Sequence, residues 1–158
     1  MPDGSIVLTG GIAGSTFFND TWRSADNGAH WTLVNASSGW MGREDHCSVA
    51  MPDGSIVVAG GIYQGESLND IWRSVDKGMT WTRLPDAAWA GRYGHVCTVI
   101  PDGSIVLFGG NAKNDTWQLR PAGATIEDPV HTLSSHGPCQ GRGLFRGKGE
   151  IRPPVRQG

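Results

Sequence analysis

Cysteine, tyrosine and net charge are all scarce in this chain. Its 158 residues hold three cysteines, two tyrosines and a formal charge of −2, from 13 Lys and Arg against 15 Asp and Glu. A charge so close to balance excludes the basic footprint that nucleic-acid binding needs. Acids outnumber bases ahead of Arg120 and bases outnumber acids after it, but neither excess is large. No apolar run approaches 18 residues, so no membrane-spanning helix is expected. No basic stretch followed by an apolar segment precedes Pro2, so the chain as written shows no secretory signal. No Cys or His spacing has the form of a zinc site. No cofactor is expected.

What the chain does have is glycine, tryptophan and repetition. Pro-Asp-Gly-Ser-Ile-Val stands at residues 2–7, 52–57 and 101–106. A glycine pair follows each copy: Gly10-Gly11, Gly60-Gly61 and Gly109-Gly110. An Asn-Asp-x-Trp phrase follows each pair, carrying Asp20 and Trp22, Asp70 and Trp72, and Asp115 and Trp117. Three landmarks in one order, three times, define a repeat of about 50 residues.

Each full unit reads as four short strands. Pro-Asp-Gly is a tight turn, because Pro presets φ, Asp bonds the backbone ahead of it and Gly tolerates φ > 0. The apolar run after it, such as Ile56-Val57-Val58-Ala59, reads as a strand buried on both faces. The glycine pair ends that strand and permits a close backbone approach. A surface loop is then expected at residues 12–18 and 62–68, shortened to 111–113 in the third unit. The next turn has the skeleton Ser-x-Asp-x-Gly-x-x-Trp, with Asp26, Gly28 and Trp31 in one unit and Asp76, Gly78 and Trp81 in the next. Its Trp is expected to open the fourth strand and fold onto the core. A Trp-x-Gly-Arg phrase with Arg43 or Arg92 then leads to the His, His46 or His95, that opens the following unit. Ten strands are expected, near residues 5–9, 19–24, 30–34, 46–51, 55–60, 69–74, 80–84, 95–100, 104–109 and 114–119.

The glycine pair, the Asn-Asp-x-Trp strand and the Gly-Arg-x-x-His lead-in resemble kelch repeats. The Ser-x-Asp-x-Gly-x-x-Trp turn is similar to the Asp-box hairpin of sialidase-type propellers, also called the BNR repeat. The resemblance covers residues 1 to about 120. It implies an all-β fold, a partial β-propeller of about two and a half four-stranded blades at residues 1–36, 37–86 and 87–120. It carries no function by itself, since this architecture hosts many activities. Larger relatives of this type are often exported, which leaves localisation open.

A ring of at least four blades at this period needs at least ~200 residues. The chain is therefore expected not to close alone. It reads as a fragment of a longer propeller that starts inside a blade, with an open arc and a ring completed by copies of the chain as alternatives. Self-association through the open ends is expected, because Ile6-Val7-Leu8 and Val106-Leu107-Phe108 lack a neighbour on one side. From residue 121 the pattern stops. Residues 121–132 resemble the start of an immunoglobulin-like module of the polycystic-kidney-disease type, and the likeness breaks off at once. Residues 133–158 read as a disordered or non-native tail.

Aligned on His46 and His95, Cys47 falls opposite Val96 and Cys97 opposite Ser48. Adjacent strand positions face opposite ways, so the two cysteines are expected to be unrelated small buried residues. Two enzyme classes share these motifs. A sialidase-like site needs an arginine cluster and a tyrosine nucleophile, yet Arg43 and Arg92 recur and Tyr63 and Tyr93 do not. A galactose-oxidase-like copper site needs two His, two Tyr and a Cys, and His46 and His95 have a simpler use at strand ends. The leading expectation is a non-catalytic module that binds a protein or a glycan through its loops, where Phe17, Phe18 and Tyr63 stand.

Overall fold

The computed structural model describes residues 1–120. The expectations for residues 121–158, the immunoglobulin-like opening and the tail, lie outside the described residues. Those described are all β, with ten strands in three antiparallel sheets and no helix. Sheet I holds β1 (Ile6–Ala13), β2 (Thr16–Ser24) and β3 (Thr32–Asn35). Sheet II holds β4 (Cys47–Ala50), β5 (Ile56–Tyr63), β6 (Glu66–Ser74) and β7 (Thr82–Leu84). Sheet III holds β8 (Val96–Val99), β9 (Ile105–Phe108) and β10 (Thr116–Leu119). Within each sheet the strands pair in chain order, and none of the sheets closes on itself.

Strand alternation sets how the sheets stack. On β5, Val57 and Ala59 pack with Trp89, Ile105 and Leu107 in the core between sheets II and III. Ile56 and Val58, on the opposite face, are buried toward sheet I. The expectation of burial on both faces therefore holds for β5. It fails for β1, where the equivalent Ile6 and Leu8 are 43% and 48% exposed. Among the described residues no sheet packs on that side of sheet I. At the far end of the stack Phe108 is 45% exposed, and among the described residues no sheet packs beyond it.

In the first two units the glycine pairs do not end their strands, whereas in the third β9 ends at Phe108, just ahead of Gly109-Gly110. β1 and β5 continue through a bulge, between Thr9 and Gly11 and between Ala59 and Gly61. They run on to Ala13 and Tyr63 and return after two residues as β2 and β6. The segments expected as loops are thus tips of long hairpins. A two-residue turn suffices because Gly14 takes φ 61° in one, and Gln64 and Gly65 take 48° and 88° in the other, as hairpin turns require. The bulge itself demands glycine: a Cβ on Gly60 would lie 2.8 Å from the Arg92 carbonyl oxygen and 2.9 Å from the His95 ring. In the third unit a true short loop joins Phe108 to Thr116.

Two further expectations are corrected. The turn tryptophans precede their strands, which start at Thr32 and Thr82. Trp31 is 39% exposed rather than buried, since no sheet among the described residues lies against it. Cys47 and Cys97 are not unrelated: they form a disulfide with Cα atoms 6.0 Å apart. Cys47 pairs across to Ala59, on the face of sheet II that meets sheet III. Cys97 pairs across to Leu107, on the face of sheet III that meets sheet II. A bridge between stacked sheets needs one forward-facing and one backward-facing residue. The non-equivalence of the two positions is what brings them together.

Candidate functional site

The recurring polar residues converge on the junctions between sheets. The Trp-x-Gly-Arg segment after β3 lies in the wedge between sheets I and II. The Arg43 carbonyl accepts the Gly11 N–H at 2.8 Å, which ties the segment to sheet I. The Arg43 guanidinium points the other way and is fully buried. It donates to both Asp70 carboxylate oxygens, at 2.6 and 2.8 Å, and to the Gly60 carbonyl at 2.9 Å. Arg92 repeats the arrangement one junction later, on Asp115 at 2.7 and 2.9 Å and on the Gly109 carbonyl at 2.7 Å. Such forked, charge-assisted pairs are among the strongest polar contacts a protein makes.

The tryptophan of each Asn-Asp-x-Trp phrase holds the acid in place. Trp22, Trp72 and Trp117 donate their indole N–H to Asp20, Asp70 and Asp115, at 2.7, 2.8 and 2.6 Å. Burial raises the Asp70 carboxyl, but the Arg43 and Trp72 hydrogen bonds outweigh it and hold the group below its ordinary range. The Arg92 hydrogen bond drives Asp115 well below that range. The sequence showed these residues recurring but not that Arg43 and Arg92 each serve the following unit. An Asn-Asp phrase stands both before and after each lead-in arginine, so motif order alone did not select the following one.

The histidines that follow the arginines lie at the same junctions. His46 Nε2 meets the Thr9 hydroxyl at 3.0 Å. Burial first, then the charge of Arg43 and the proximity of His95, lowers its pKa to about 4. His95 is lowered as well, chiefly by burial. Both of its ring nitrogens lack a partner among the described residues. For Nε2 the reason is sequence, since Ala59 stands where the first unit has Thr9; Nδ1 is unpartnered among the described residues in His46 as well. Among the described residues no group of three His, Cys, Asp or Glu is arranged to hold a metal ion.

The Ser-x-Asp-x-Gly-x-x-Trp turns are closed networks. Asp76 accepts the Ser74 hydroxyl at 2.8 Å, the Thr80 N–H at 2.9 Å and the Thr80 hydroxyl. Asp26 does the same with Ser24 and the His30 backbone and ring. Gly28 and Gly78 donate N–H to Ser24 and Ser74, and their carbonyls accept the Trp31 and Trp81 indoles. Only Trp81 has a neighbour to pack on, Trp40, with ring centroids 6.0 Å apart. The turn aspartate Asp3 bonds its own Ser5 and also meets Lys77 of sheet II at 2.7 Å. The Lys77 contact leads the causes that hold the Asp3 carboxyl well below its usual range.

Surface opportunities remain in two places. At the hairpin tips Phe17 and Tyr63, from neighbouring sheets, meet edge to face with centroids 5.2 Å apart. Phe18, the next residue along β2, turns to the other face and is 38% exposed. At the opposite ends of the strands the Pro-Asp-Gly turns surround a shallow apolar depression lined by Met1, Pro2, Met51, Pro52, Ile100 and Pro101. No titratable side chain lines it. No helix among the described residues is long and apolar enough to cross a membrane.

No protein-family model and no curated protein sequence matches the chain. Among solved structures the chain is similar to that of YjhT, with a TM-score of 0.67 and 18% sequence identity. The match covers 84% of this chain and 50% of that one, so the chain spans half the length of YjhT. At this identity the likeness is one of fold.

Proposed function

We propose that the three sheets are kelch-type blades with Asp-box turns, forming an arc of about two and a half blades of a β-propeller. The arc serves as a non-catalytic interaction module for a protein or glycan partner. The observation that carries this reading is the aromatic pair Phe17–Tyr63 at the hairpin tips. It supplies a rigid apolar contact surface of the kind that binding faces favour. The recurring charged residues, by contrast, are engaged at the junctions. Arg43 and Arg92 are each held by a carboxylate of the next sheet.

A glycan array, paired with a pull-down whose captured proteins are identified by mass spectrometry, tests the proposal. The chain is expected to retain a defined partner, and Phe17→Ala with Tyr63→Ala is expected to lose it with only a small drop in melting temperature, the pair itself being worth about 1 kcal/mol. Turnover of a sialoside or of a primary alcohol would replace this reading with a propeller enzyme.

A further inference from the structure

The bridge between Cys47 and Cys97 shares its junction with an unmatched imidazole. Both cysteines stand on the inner strands of their sheets, β4 and β8, on the faces that meet. Cys47 is buried, whereas Cys97 is only partly so and packs against the core. His95 stands two residues ahead of Cys97, which places both on one face of the chain. Its ring crosses the junction: a Cβ on Gly60 of sheet II would lie 2.9 Å from its Cε1. Gly60 adjoins Ala59, the residue that Cys47 faces across the ladder. The imidazole is thus placed beside the bridge by both sheets. It is 6% exposed, and neither ring nitrogen has a partner among the described residues. A buried acceptor left unmatched costs free energy that a nearby donor recovers. A disulfide has no donor to offer, but a thiol has one in its S–H.

We propose that the Cys47–Cys97 bridge is a reducible site, opened by a dithiol reductant, with His95 as the positioning residue that favours its dithiol form. The step is a thiol–disulfide exchange. A thiolate of the reductant attacks Sγ of Cys97, the more exposed cysteine of the two, and Cys47 leaves as a thiolate. The second thiolate of the reductant then attacks the reductant's own sulfur in the mixed disulfide and releases Cys97. Two electrons pass from the reductant, which ends as a disulfide, and the two protons it gives up end on Cys47 and Cys97. One of the new S–H groups donates to the His95 imidazole, which burial keeps neutral and so able to accept. That bond belongs to the reduced state alone and draws the equilibrium toward it. The Arg92–Asp115 fork takes no part in the exchange, so the junction keeps a polar tie while the covalent one is open. His46, by contrast, already meets the Thr9 hydroxyl and lies on the opposite face of its chain from Cys47.

The folded chain is equilibrated with dithiothreitol at set ratios of reduced to oxidised reagent, and alkylation followed by intact mass reads the exchange constant. Full and reversible reduction without denaturant is expected. His95→Leu removes the acceptor and is expected to shift the constant about fivefold toward the disulfide, the worth of one hydrogen bond. Ala59→Thr keeps the imidazole but gives it a hydroxyl partner in both states, so it is expected to shift the constant in the same sense. His46→Leu, at the neighbouring junction, is expected to leave it unchanged. The proposal is overturned by a bridge that dithiothreitol opens only in denaturant, or by an equal shift in His46→Leu. It is overturned as well by a constant unmoved in His95→Leu or, should that variant not fold, in Ala59→Thr.

Discussion

Arg43, from the segment that follows sheet I, is held by Asp70 of sheet II through two bonds of 2.6 and 2.8 Å. The guanidinium is fully buried and the carboxylate nearly so. The pair fastens one sheet to the next, with the Trp40 ring 5.6 Å from the guanidinium carbon. Removing one partner of a buried pair strands the other charge. Arg43→Gln and Arg92→Gln are each expected to cost about 3–5 kcal/mol in urea unfolding. Asp20→Asn, with no arginine to strand, is expected to stay within about 0.5 kcal/mol. Equal costs at Asp20 and Arg43 would contradict the junction role.

His46 and His95 make stability depend on pH in a definite direction. The folded pKa of His46, about 4, lies below the unfolded value of about 6.5. The unfolded chain therefore binds protons first as pH falls. Stability is expected to be level above about pH 6.5 and to drop by about 3 kcal/mol toward pH 4 from His46 alone. His95, lowered in the same sense, adds to the drop. The lowered carboxyls of Asp70 and Asp115 act only below their unfolded range, so they do not offset it. His46→Gln is expected to flatten the pH profile of the melting temperature. Ala59→Thr, which copies Thr9, is expected to give His95 a hydroxyl partner and about 1 kcal/mol of stability.

The two turn tryptophans are expected to differ despite their identical motif. Trp81 packs on Trp40, and its truncation to Ala is expected to cost about 3–5 kcal/mol. Trp31 is solvent-facing, and its truncation should cost only about 1 kcal/mol. Asp76→Ala leaves several donors of its turn unmatched and should cost about 1–3 kcal/mol. Thermal melts of the three variants rank these effects, and similar losses at Trp31 and Trp81 would refute the packing argument.

The Cys47–Cys97 bridge closes a span of 50 residues between the inner strands of sheets II and III. On the chain-entropy account such a loop is worth about 4 kcal/mol. Non-reducing peptide mapping is expected to recover one linked peptide carrying Cys47 and Cys97. Reduction, or the double change Cys47→Ala and Cys97→Ala, is expected to lower the melting temperature markedly. A map that finds both thiols free in protein made under oxidising conditions would sink the assignment.

Ile6 and Leu8 at one end of the stack, and Phe108 at the other, leave apolar sheet surface in solvent. Exposed sheet faces and edges promote association. Light scattering across a dilution series is expected to show mass rising with concentration. Leu8→Lys and Phe108→Lys are each expected to shift it toward the monomer. A monodisperse monomer at high concentration would contradict this expectation.

All ten strands stood in the sequence, because short apolar runs between Pro-Asp-Gly turns and glycine pairs leave the backbone little else to do. The turn networks around Asp26 and Asp76 were equally local: every bond in them spans four residues or fewer. Hairpin tips were harder to read, since a bulge at Gly60-Gly61 lets a strand pass the very residues that seem to stop it. Three features needed the stacked sheets: which acid each arginine meets, which cysteine lies opposite which, and which of two identical tryptophans is covered. The physical reason is common to all three. A sequence repeat states what is equivalent between units, whereas a junction joins the forward face of one unit to the backward face of the next. Residues that meet there are non-equivalent by construction, and only the tertiary structure pairs them.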